Sequence, residues 1–244
     1  MNQPIEICKD LPARIIGFEG VDASGKTSII KYFRDLLDEA GVQYIQTREP
    51  GGTPIGEEAR RILLDPAHGG MDDRAEALLY TASRAQLVRE VIKPALERDQ
   101  WAVCDRTPYS TLVFQGYARG LDVGELRRLQ EWAMDGIWPD RVVLLDCSVE
   151  TSLRRLQLRG EKADRIEQEE RSFHERVRAG YLALAKAEPK RFFVLNAEKS
   201  LEQVMQDFYK EFWLPLVSKK TTFADRVVQK AGRFKGGRGN SHPL

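Results

Sequence analysis

The chain has 244 residues, of which 42% are hydrophobic and 31% charged, and its formal net charge is +1 at pH 7. A chain of this length and composition can bury a full core without disulfides or a structural metal. Its sequence has no apolar run long enough to span a membrane, no secretory signal and no CxxC pair, so we expect a cytoplasmic protein without a zinc site or a disulfide framework.

Short apolar runs alternate with amphipathic helical patterns over residues 1–217. The runs predict five strands, at Arg14–Glu19, Val42–Thr47, Trp101–Asp105, Arg141–Leu145 and Phe192–Leu195. The amphipathic patterns predict helices at Lys26–Ala40, Arg74–Glu97, Val123–Met134, Val149–Leu158, Glu167–Ala187 and Leu201–Phe212, the last of them capped by Ser200. This alternation is typical of an α/β fold in which helices cover both faces of a five-stranded parallel sheet. We predict a single domain over residues 1–217.

The first predicted strand leads into a glycine-rich loop that opens the first helix. The loop matches GxxxxGK(S/T) and consists of Gly20, Val21, Asp22, Ala23, Ser24, Gly25, Lys26 and Thr27. Its glycines allow a nest of N–H donors, and the helix N-terminus adds positive potential for phosphates. Lys26 supplies a mobile ammonium, and the Thr27 hydroxyl suits Mg²⁺. We predict a P-loop for a nucleoside triphosphate, and the guanine-reading NKxD sequence of GTPases is absent.

Four further segments lie at strand ends or on the adjoining helices, at residues 47–53 (TREPGGT), 80–84, 105–120 and 159–168. Together with the P-loop they resemble the thymidylate kinase family, which phosphorylates dTMP to dTDP with ATP. The resemblance covers about residues 14–216. It implies a P-loop NTPase fold with a short lid, ATP as the phosphoryl donor, Mg²⁺, and a homodimer packed through helices, for which Arg74–Glu97 is a candidate surface.

Cations are needed wherever phosphoryl transfer brings two polyanions together. Lys26 serves the donor, while Arg48 and Arg106 follow the second and third strands at the carboxyl edge of the sheet, where α/β proteins bind ligands. The resemblance implies that Arg48 holds the dTMP phosphate and that Arg106 bridges the phosphates of both nucleotides. It also implies that Asp22 contacts the 3′-hydroxyl of the acceptor sugar. Asp105 ends an apolar run, as a water-mediated Mg²⁺ ligand does.

Tyr80 and Arg84 are one turn apart on the same face of a predicted helix. The resemblance implies that the ring stacks on thymine and that Arg84 hydrogen-bonds a base carbonyl. The family mostly has Phe at the position of Tyr80, which leaves the preferred pyrimidine open. By the same resemblance, Thr111 and Gln115 complete the base edge, and Phe114 crowds the sugar 2′ position and so favours deoxyribose.

The charged segment 159–168 resembles the lid of bacterial thymidylate kinases, which carries the catalytic cation. The P-loop of this chain has no arginine, so Arg159 or Arg165 is expected to supply that cation. This segment is one residue longer than the family version, and the choice between the two arginines stays open. The three histidines fall in none of these segments and are predicted to lie on the surface, at His68, His174 and His242.

Residues 218–244 form a basic, glycine-rich tail, with seven Lys or Arg and one acid, and are expected to be flexible. Transfer of the γ-phosphoryl group of ATP to dTMP is the leading prediction. The first alternative is a kinase for a modified or other pyrimidine deoxynucleoside monophosphate. A remote alternative is a P-loop ATPase or nucleic-acid-binding regulator, because a basic tail can bind nucleic acid. The segments at Arg48 and Arg84 argue against it, since such a protein needs no second nucleotide site. We therefore expect dTMP and ATP as ligands, and neither nucleic acid nor membrane as a partner.

Overall fold

The computed structural model describes residues 14–160 and 162–217, so the tail 218–244 and His242 lie outside the described residues. It contains a five-stranded sheet in the order β2-β3-β1-β4-β5. All of its strand pairings are parallel. The strands are β1 Ile15–Glu19, β2 Tyr44–Arg48, β3 Trp101–Asp105, β4 Arg141–Asp146 and β5 Phe192–Asn196. The predicted α/β fold is confirmed, and each predicted strand end lies within two residues of the observed one.

Helices connect and follow the strands. They are α1 Lys26–Ala40, α2 Pro54–Leu64, α3 Asp73–Leu87, α4 Lys93–Glu97, α5 Pro108–Thr111, α6 Val123–Ala133, α7 Val149–Arg159, α8 Arg171–Ala187, α9 Leu201–Asp207 and α10 Leu214–Val217. Three π-helical segments extend or join them, at Val88–Ile92, Leu112–Ala118 and Phe208–Trp213, and a short 3-10 helix follows α2 at Pro66–His68.

Helices cover the sheet on both faces because neighbouring residues of a strand point to opposite sides. On one face, Phe18 of β1 packs with Phe33 of α1 in the larger apolar cluster. On the other face, Ile15 of β1 and Cys104 of β3 pack with Leu87 of α3 in a second cluster. Along the described chain, no helix is long and apolar enough to cross a membrane.

Local sequence signals explain where several helices begin. Ser200 caps α9 with its hydroxyl, and Gln203 reaches back to the Ser200 N–H, so the predicted cap is confirmed as a capping box. Helix α8 begins at Arg171 rather than at Glu167. Asp164 gives the reason, because its carboxylate accepts the N–H groups of Ile166 and Glu167 at 2.9 Å and forms a local turn instead.

The predicted surface location is wrong for His174, whose relative exposure is 3%. Helix α8 packs against α7 on one side and against the π-helical segment Leu112–Ala118 on another, so it has more than one covered face. Phe173 and His174 are therefore both buried although they are adjacent in the sequence. His68 is exposed at the end of the 3-10 helix, as predicted.

Candidate active site

A cavity of about 460 Å³ opens at the carboxyl edge of the sheet. Its walls come from the P-loop, the ends of β2 and β3, α2, α3, the π-helical segment after α5, and the lid 159–168. It is lined by most of the residues expected at the site, namely Asp22, Ala23, Lys26, Thr27, Arg48, Tyr80, Asp105, Arg106, Thr111, Phe114, Gln115 and Arg159. Parallel strands whose ends meet at one edge bring these distant segments together.

The P-loop has the backbone that its glycines predict. Gly20 has a φ of 142°, and a Cβ there would lie 2.5 Å from the Leu145 carbonyl oxygen. Gly25, just before α1, has a φ of 99°. Side-chain-bearing residues rarely adopt either conformation. The Lys26 ammonium donates to the carbonyls of Gly20 and Val21, at 3.0 and 2.9 Å, and its burial lowers its pKa to about 8.

Arg106 stands at the centre of the site. It has a left-handed backbone, with a φ of 69°, which is strained for a residue other than glycine. Its guanidinium pairs with Asp22, donates to the Tyr181 hydroxyl at 3.3 Å and lies 5.0 Å from the Phe114 ring centroid. Burial acts to raise the pKa of Asp22, but the charges of Arg106 and Lys26 outweigh it and hold that pKa below its usual value. An acid can thus occupy an anion-binding loop because a paired cation neutralises it.

Glu19 lies beneath Arg106 and is fully buried. One carboxylate oxygen accepts the Thr107 N–H and hydroxyl at 2.8 and 2.6 Å, and the other accepts the hydroxyls of Ser110 and Tyr181 at 2.7 Å. These bonds occupy both oxygens of Glu19. Asp105, by contrast, lines the cavity, and its carboxylate makes no hydrogen bond within the described residues.

The end of β2 and the helix α2 each present one arginine to the cavity. Arg48 donates to both carboxylate oxygens of Glu57, at 3.0 and 2.9 Å. Arg60 of α2 also lines the cavity and donates to the Pro50 carbonyl at 3.0 Å. The sequence interpretation missed Arg60 because it did not predict α2. Thr53 followed by Pro54 was the available signal, since these residue types favour the cap and the first position of a helix.

The base-binding residues predicted from the resemblance form one wall. Tyr80 of α3 and Phe114 present aromatic rings to the cavity, and Thr111 and Gln115 present polar groups beside them. Burial raises the pKa of Tyr80 well above its ordinary value, so its hydroxyl keeps its proton. This wall combines flat apolar surfaces with a few hydrogen-bonding groups, which is the composition expected for a nucleobase pocket.

Arg84 lies behind this wall and is 1% exposed. It donates to the Thr111 hydroxyl at 2.9 Å and to the Thr107 carbonyl at 3.2 Å, and its Nε lies 2.5 Å from Glu49. Burial raises the pKa of Glu49 to about 7, because its effect is larger than that of the Arg84 charge, which lowers this pKa. Arg84 is not among the residues that line the cavity, so its expected contact with a base carbonyl stays a prediction.

The lid distinguishes the two arginines that the sequence left open. Arg159 lines the cavity and donates to Glu167 at 2.9 and 3.0 Å. Arg165 is 6% exposed and does not line the cavity; it donates to the Leu63 carbonyl at 2.7 Å and lies 2.6 Å from Glu76. Two groups outside the cavity hold the Arg165 guanidinium, whereas Arg159 lines the cavity, so the role of the catalytic cation stays a prediction that favours Arg159. Lys162 adds a second lid cation to the lining.

A second cavity of about 250 Å³ lies on the other side of the P-loop. Ser24 and Gly25 of the loop line it, together with Arg155 of α7 and Lys199 after β5. Arg155 is held in place by the Ala197 carbonyl at 2.9 Å. Ala23 lines both cavities, so the P-loop separates two adjoining concave sites.

Known proteins are similar to this chain in sequence and in fold. The sequence model of the family described as "Thymidylate kinase" matches residues 18–208. A thymidylate kinase from Symbiobacterium thermophilum is 50% identical over 192 residues, which cover 79% of this chain and 89% of that protein. Another, from Limosilactobacillus fermentum, is 44% identical over 199 residues, which cover 81% and 93%. The crystal structure of thymidylate kinase from Ehrlichia chaffeensis superposes with a TM-score of 0.66 at 29% identity, covering 81% of this chain and 97% of that one. This chain belongs to the thymidylate kinase family.

Proposed function

We propose that the larger cavity binds dTMP, that the smaller one binds the nucleoside part of ATP, and that the γ-phosphoryl group passes between them to give dTDP and ADP for dTTP synthesis. The observation that carries this proposal is the pair of concave sites separated by the P-loop and sharing Ala23. An oxygen of the dTMP phosphate attacks the γ-phosphorus as the bond from that phosphorus to the β–γ bridging oxygen breaks. The attacking oxygen is already anionic, so no general base is required.

The cations of the P-loop side stabilise the charge in transit. Lys26 leaves its two loop carbonyls for the β- and γ-phosphates, because a phosphate is a stronger acceptor than a neutral carbonyl. Arg106 lines the larger cavity and donates to the Gly20 carbonyl of the P-loop at 3.3 Å, and from there it bridges both sets of phosphates. Its pairing with Asp22 fixes the guanidinium at that point, and Asp22 then accepts the 3′-hydroxyl of the acceptor sugar.

Two more groups of cations complete the phosphate site. Arg159 of the lid acts on the transferring group, and Glu167 supports it by accepting two hydrogen bonds from its Nη2. Arg48 and Arg60 hold the dTMP phosphate from the other side of the cavity. Preorganised charges of this kind contribute most where charge develops in the transition state.

The base is recognised by the wall that Tyr80, Phe114, Thr111 and Gln115 form. Tyr80 stacks on the pyrimidine, while Thr111 and Gln115 hydrogen-bond its edge. Phe114, which lies under Arg106, crowds the sugar 2′ position and favours deoxyribose. Arg84 holds Thr111 in place through a 2.9 Å hydrogen bond and is also expected to contact a base carbonyl.

Mg²⁺ fits the residues present. Within the described residues no cluster of three or more His, Cys, Asp or Glu side chains could hold a metal alone. Mg²⁺, however, typically binds one or two protein oxygens together with phosphates and waters. Asp105 and Thr27 would supply such oxygens beside Lys26. Bound there, the ion would neutralise charge on the donor phosphates.

Exposed apolar side chains on three helices support the proposal of a homodimer. Helix α3 packs on α2 and on α6. These helices leave Ile55, Leu78 and Trp132 exposed, at 58%, 56% and 79%. We propose that a second copy covers this face. We also place the enzyme in the cytoplasm, where reduced thiols such as the buried Cys104 and Cys147 are stable.

A substrate screen tests the assignment of dTMP. The purified enzyme is given ATP and, at equal concentrations, dTMP, dUMP, dCMP or a 5-substituted dUMP. We expect the highest kcat/KM with dTMP. A clear preference for another pyrimidine nucleotide would replace dTMP by that substrate in the larger cavity.

A further inference from the structure

Glu76 is a buried acid behind the base-binding wall. It lies on α3 one turn before Tyr80, is 0% exposed and does not line the cavity. Its Oε1 accepts a hydrogen bond from the side-chain amide nitrogen of Gln115 at 2.7 Å. Arg119 donates to both of its oxygens, at 3.3 and 3.1 Å, and Arg165 lies 2.6 Å from Oε2. The residue therefore holds one member of the cavity wall from outside the cavity.

The two guanidinium groups keep Glu76 ionised. Burial acts to raise its pKa, but the hydrogen bonds from Arg119 and Gln115 and the contact with Arg165 outweigh that effect, so its pKa is lowered. An ionised carboxylate can only accept hydrogen bonds. The Gln115 amide must therefore present its nitrogen to Glu76 and cannot be turned end for end without losing this bond.

The amide oxygen of Gln115 can accept a hydrogen bond from a ligand in the cavity. Gln115 lines the cavity, and its Oε1 makes no hydrogen bond within residues 14–160 and 162–217. Thymine and uracil carry an N–H donor at N3, whereas cytosine has a lone pair there. A fixed acceptor complements the first two bases. Against cytosine it would leave two acceptors facing each other in a desolvated site, an arrangement that costs binding free energy.

We propose that Glu76 is a positioning residue that fixes the Gln115 amide with its oxygen toward the base, and that this orientation selects pyrimidines with an N3–H over cytosine. The inference rests on the proposed location of the base at Gln115. It assigns selectivity to a residue that does not touch the substrate.

Two substitutions of Glu76 test the proposal. Glu76→Gln can donate to Gln115 and allows its amide to turn. Glu76→Asp keeps the charge for Arg119 and Arg165 but withdraws the carboxylate from Gln115 by one methylene. We expect the ratio of kcat/KM for dTMP over dCMP to fall about tenfold or more in both variants. The dTMP over dUMP ratio should stay unchanged, because these bases share N3–H and differ only by a methyl group.

Two controls separate orientation from general damage. Arg119→Lys keeps a positive charge beside Glu76, and Asp73 and Glu169, which also pair with Arg119, remain to hold that charge in place. The variant leaves the Gln115–Glu76 hydrogen bond intact. Its dTMP over dCMP ratio should match wild type. In a Gln115→Leu background, which lacks the amide, Glu76→Gln should have no further effect on this ratio. A dTMP over dCMP ratio within about twofold of wild type in a folded Glu76 variant would overturn the proposal.

A measurement on the wild-type enzyme tests the proposal without any change at Glu76. In ¹⁵N NMR, the side-chain amide of Gln115, assigned by its loss in Gln115→Leu, should have one proton shifted downfield by the charged hydrogen bond. Two proton shifts typical of a solvent-exposed amide would contradict the proposal. If dCMP rather than dTMP is the preferred substrate of wild type, the proposed function fails instead, which is a distinct result.

Discussion

Acidic partners hold Arg48, Arg106 and Arg159 of the cavity in place. Arg106 pairs with Asp22 and Arg48 with Glu57, so neither cation faces the cavity uncompensated. A phosphate can replace either acid, because it accepts bidentate hydrogen bonds from a guanidinium. We infer that the acids preorganise the site for two polyanions. Catalysis by such cations depends on their position and charge rather than on proton transfer.

Removing either central cation should lower turnover by about two to three orders of magnitude. Lys26→Ala and Arg106→Ala each withdraw a positive charge from the developing transition state, a loss of about 3–4 kcal/mol, or two to three orders of magnitude in kcat. The fold should persist, because both side chains lie at the cavity rather than in the apolar core. Steady-state kinetics and circular dichroism measure the two effects. Folded variants with wild-type rates would remove both residues from the mechanism.

The two lid arginines should behave in opposite ways. Arg159→Gln is expected to lower kcat at least about 100-fold with little change in Tm, since this half-exposed side chain acts on the transferring group. Arg165→Gln removes a buried partner of Glu76 and Leu63, so it should lower Tm by several degrees and change kcat much less. Parallel measurement of kcat and Tm checks both changes. The reverse pattern would return the catalytic role to Arg165.

At the level of elements, the sequence predicted the five strands and the helix α1 well, and it missed the helix α2 and the π-helical segments. The strand at Trp101–Asp105 and the helix at Lys26–Ala40 have the predicted bounds, since strong apolar periodicity and a terminal glycine define them. The helix α2 was not predicted, because the glycine- and proline-rich segment before it is typical of a loop. The π-helical segments were not foreseen either, because apolar periodicity does not distinguish a wider turn from a regular one.

The positions of side chains across elements were predicted only in part. The sequence identified Tyr80, Thr111, Phe114 and Gln115 as cavity residues, and the structure brings these four side chains to one wall. It could not separate Arg159 from Arg165, because both lie in a charged segment without periodicity. The two arginines differ in position because Arg165 contacts Leu63 on α2 and Glu76 on α3, which are distant in the sequence.

The exposed apolar side chains of α2, α3 and α6 provide a test of the dimer. Leu78→Asp places a charge among apolar side chains that a second copy is proposed to cover, so it should shift the protein from dimer to monomer. The matched control is Leu158→Asp on α7, which changes an equally apolar and 81% exposed residue on a different helix. Light scattering after gel filtration gives both masses. Identical masses for Leu78→Asp and wild type would place the interface elsewhere.

For the molecule as a whole, the site should function without the tail. Deleting 218–244 is expected to leave kcat and both KM values nearly unchanged, because all proposed site residues precede Leu216. Kinetics of the truncated enzyme provide the check. A KM for ATP raised tenfold, about 1.4 kcal/mol, would show that the tail contributes to the ATP site.

The central claim is that two nucleotides bind on either side of the P-loop and exchange a phosphoryl group. A coupled assay for ADP release from ATP, with and without dTMP, tests it most directly. We predict rapid ADP release only when dTMP is present, with one dTDP formed for each ADP. ADP release at the same rate without dTMP, or release stimulated by DNA in its place, would contradict the claim and indicate an ATPase with a single nucleotide site.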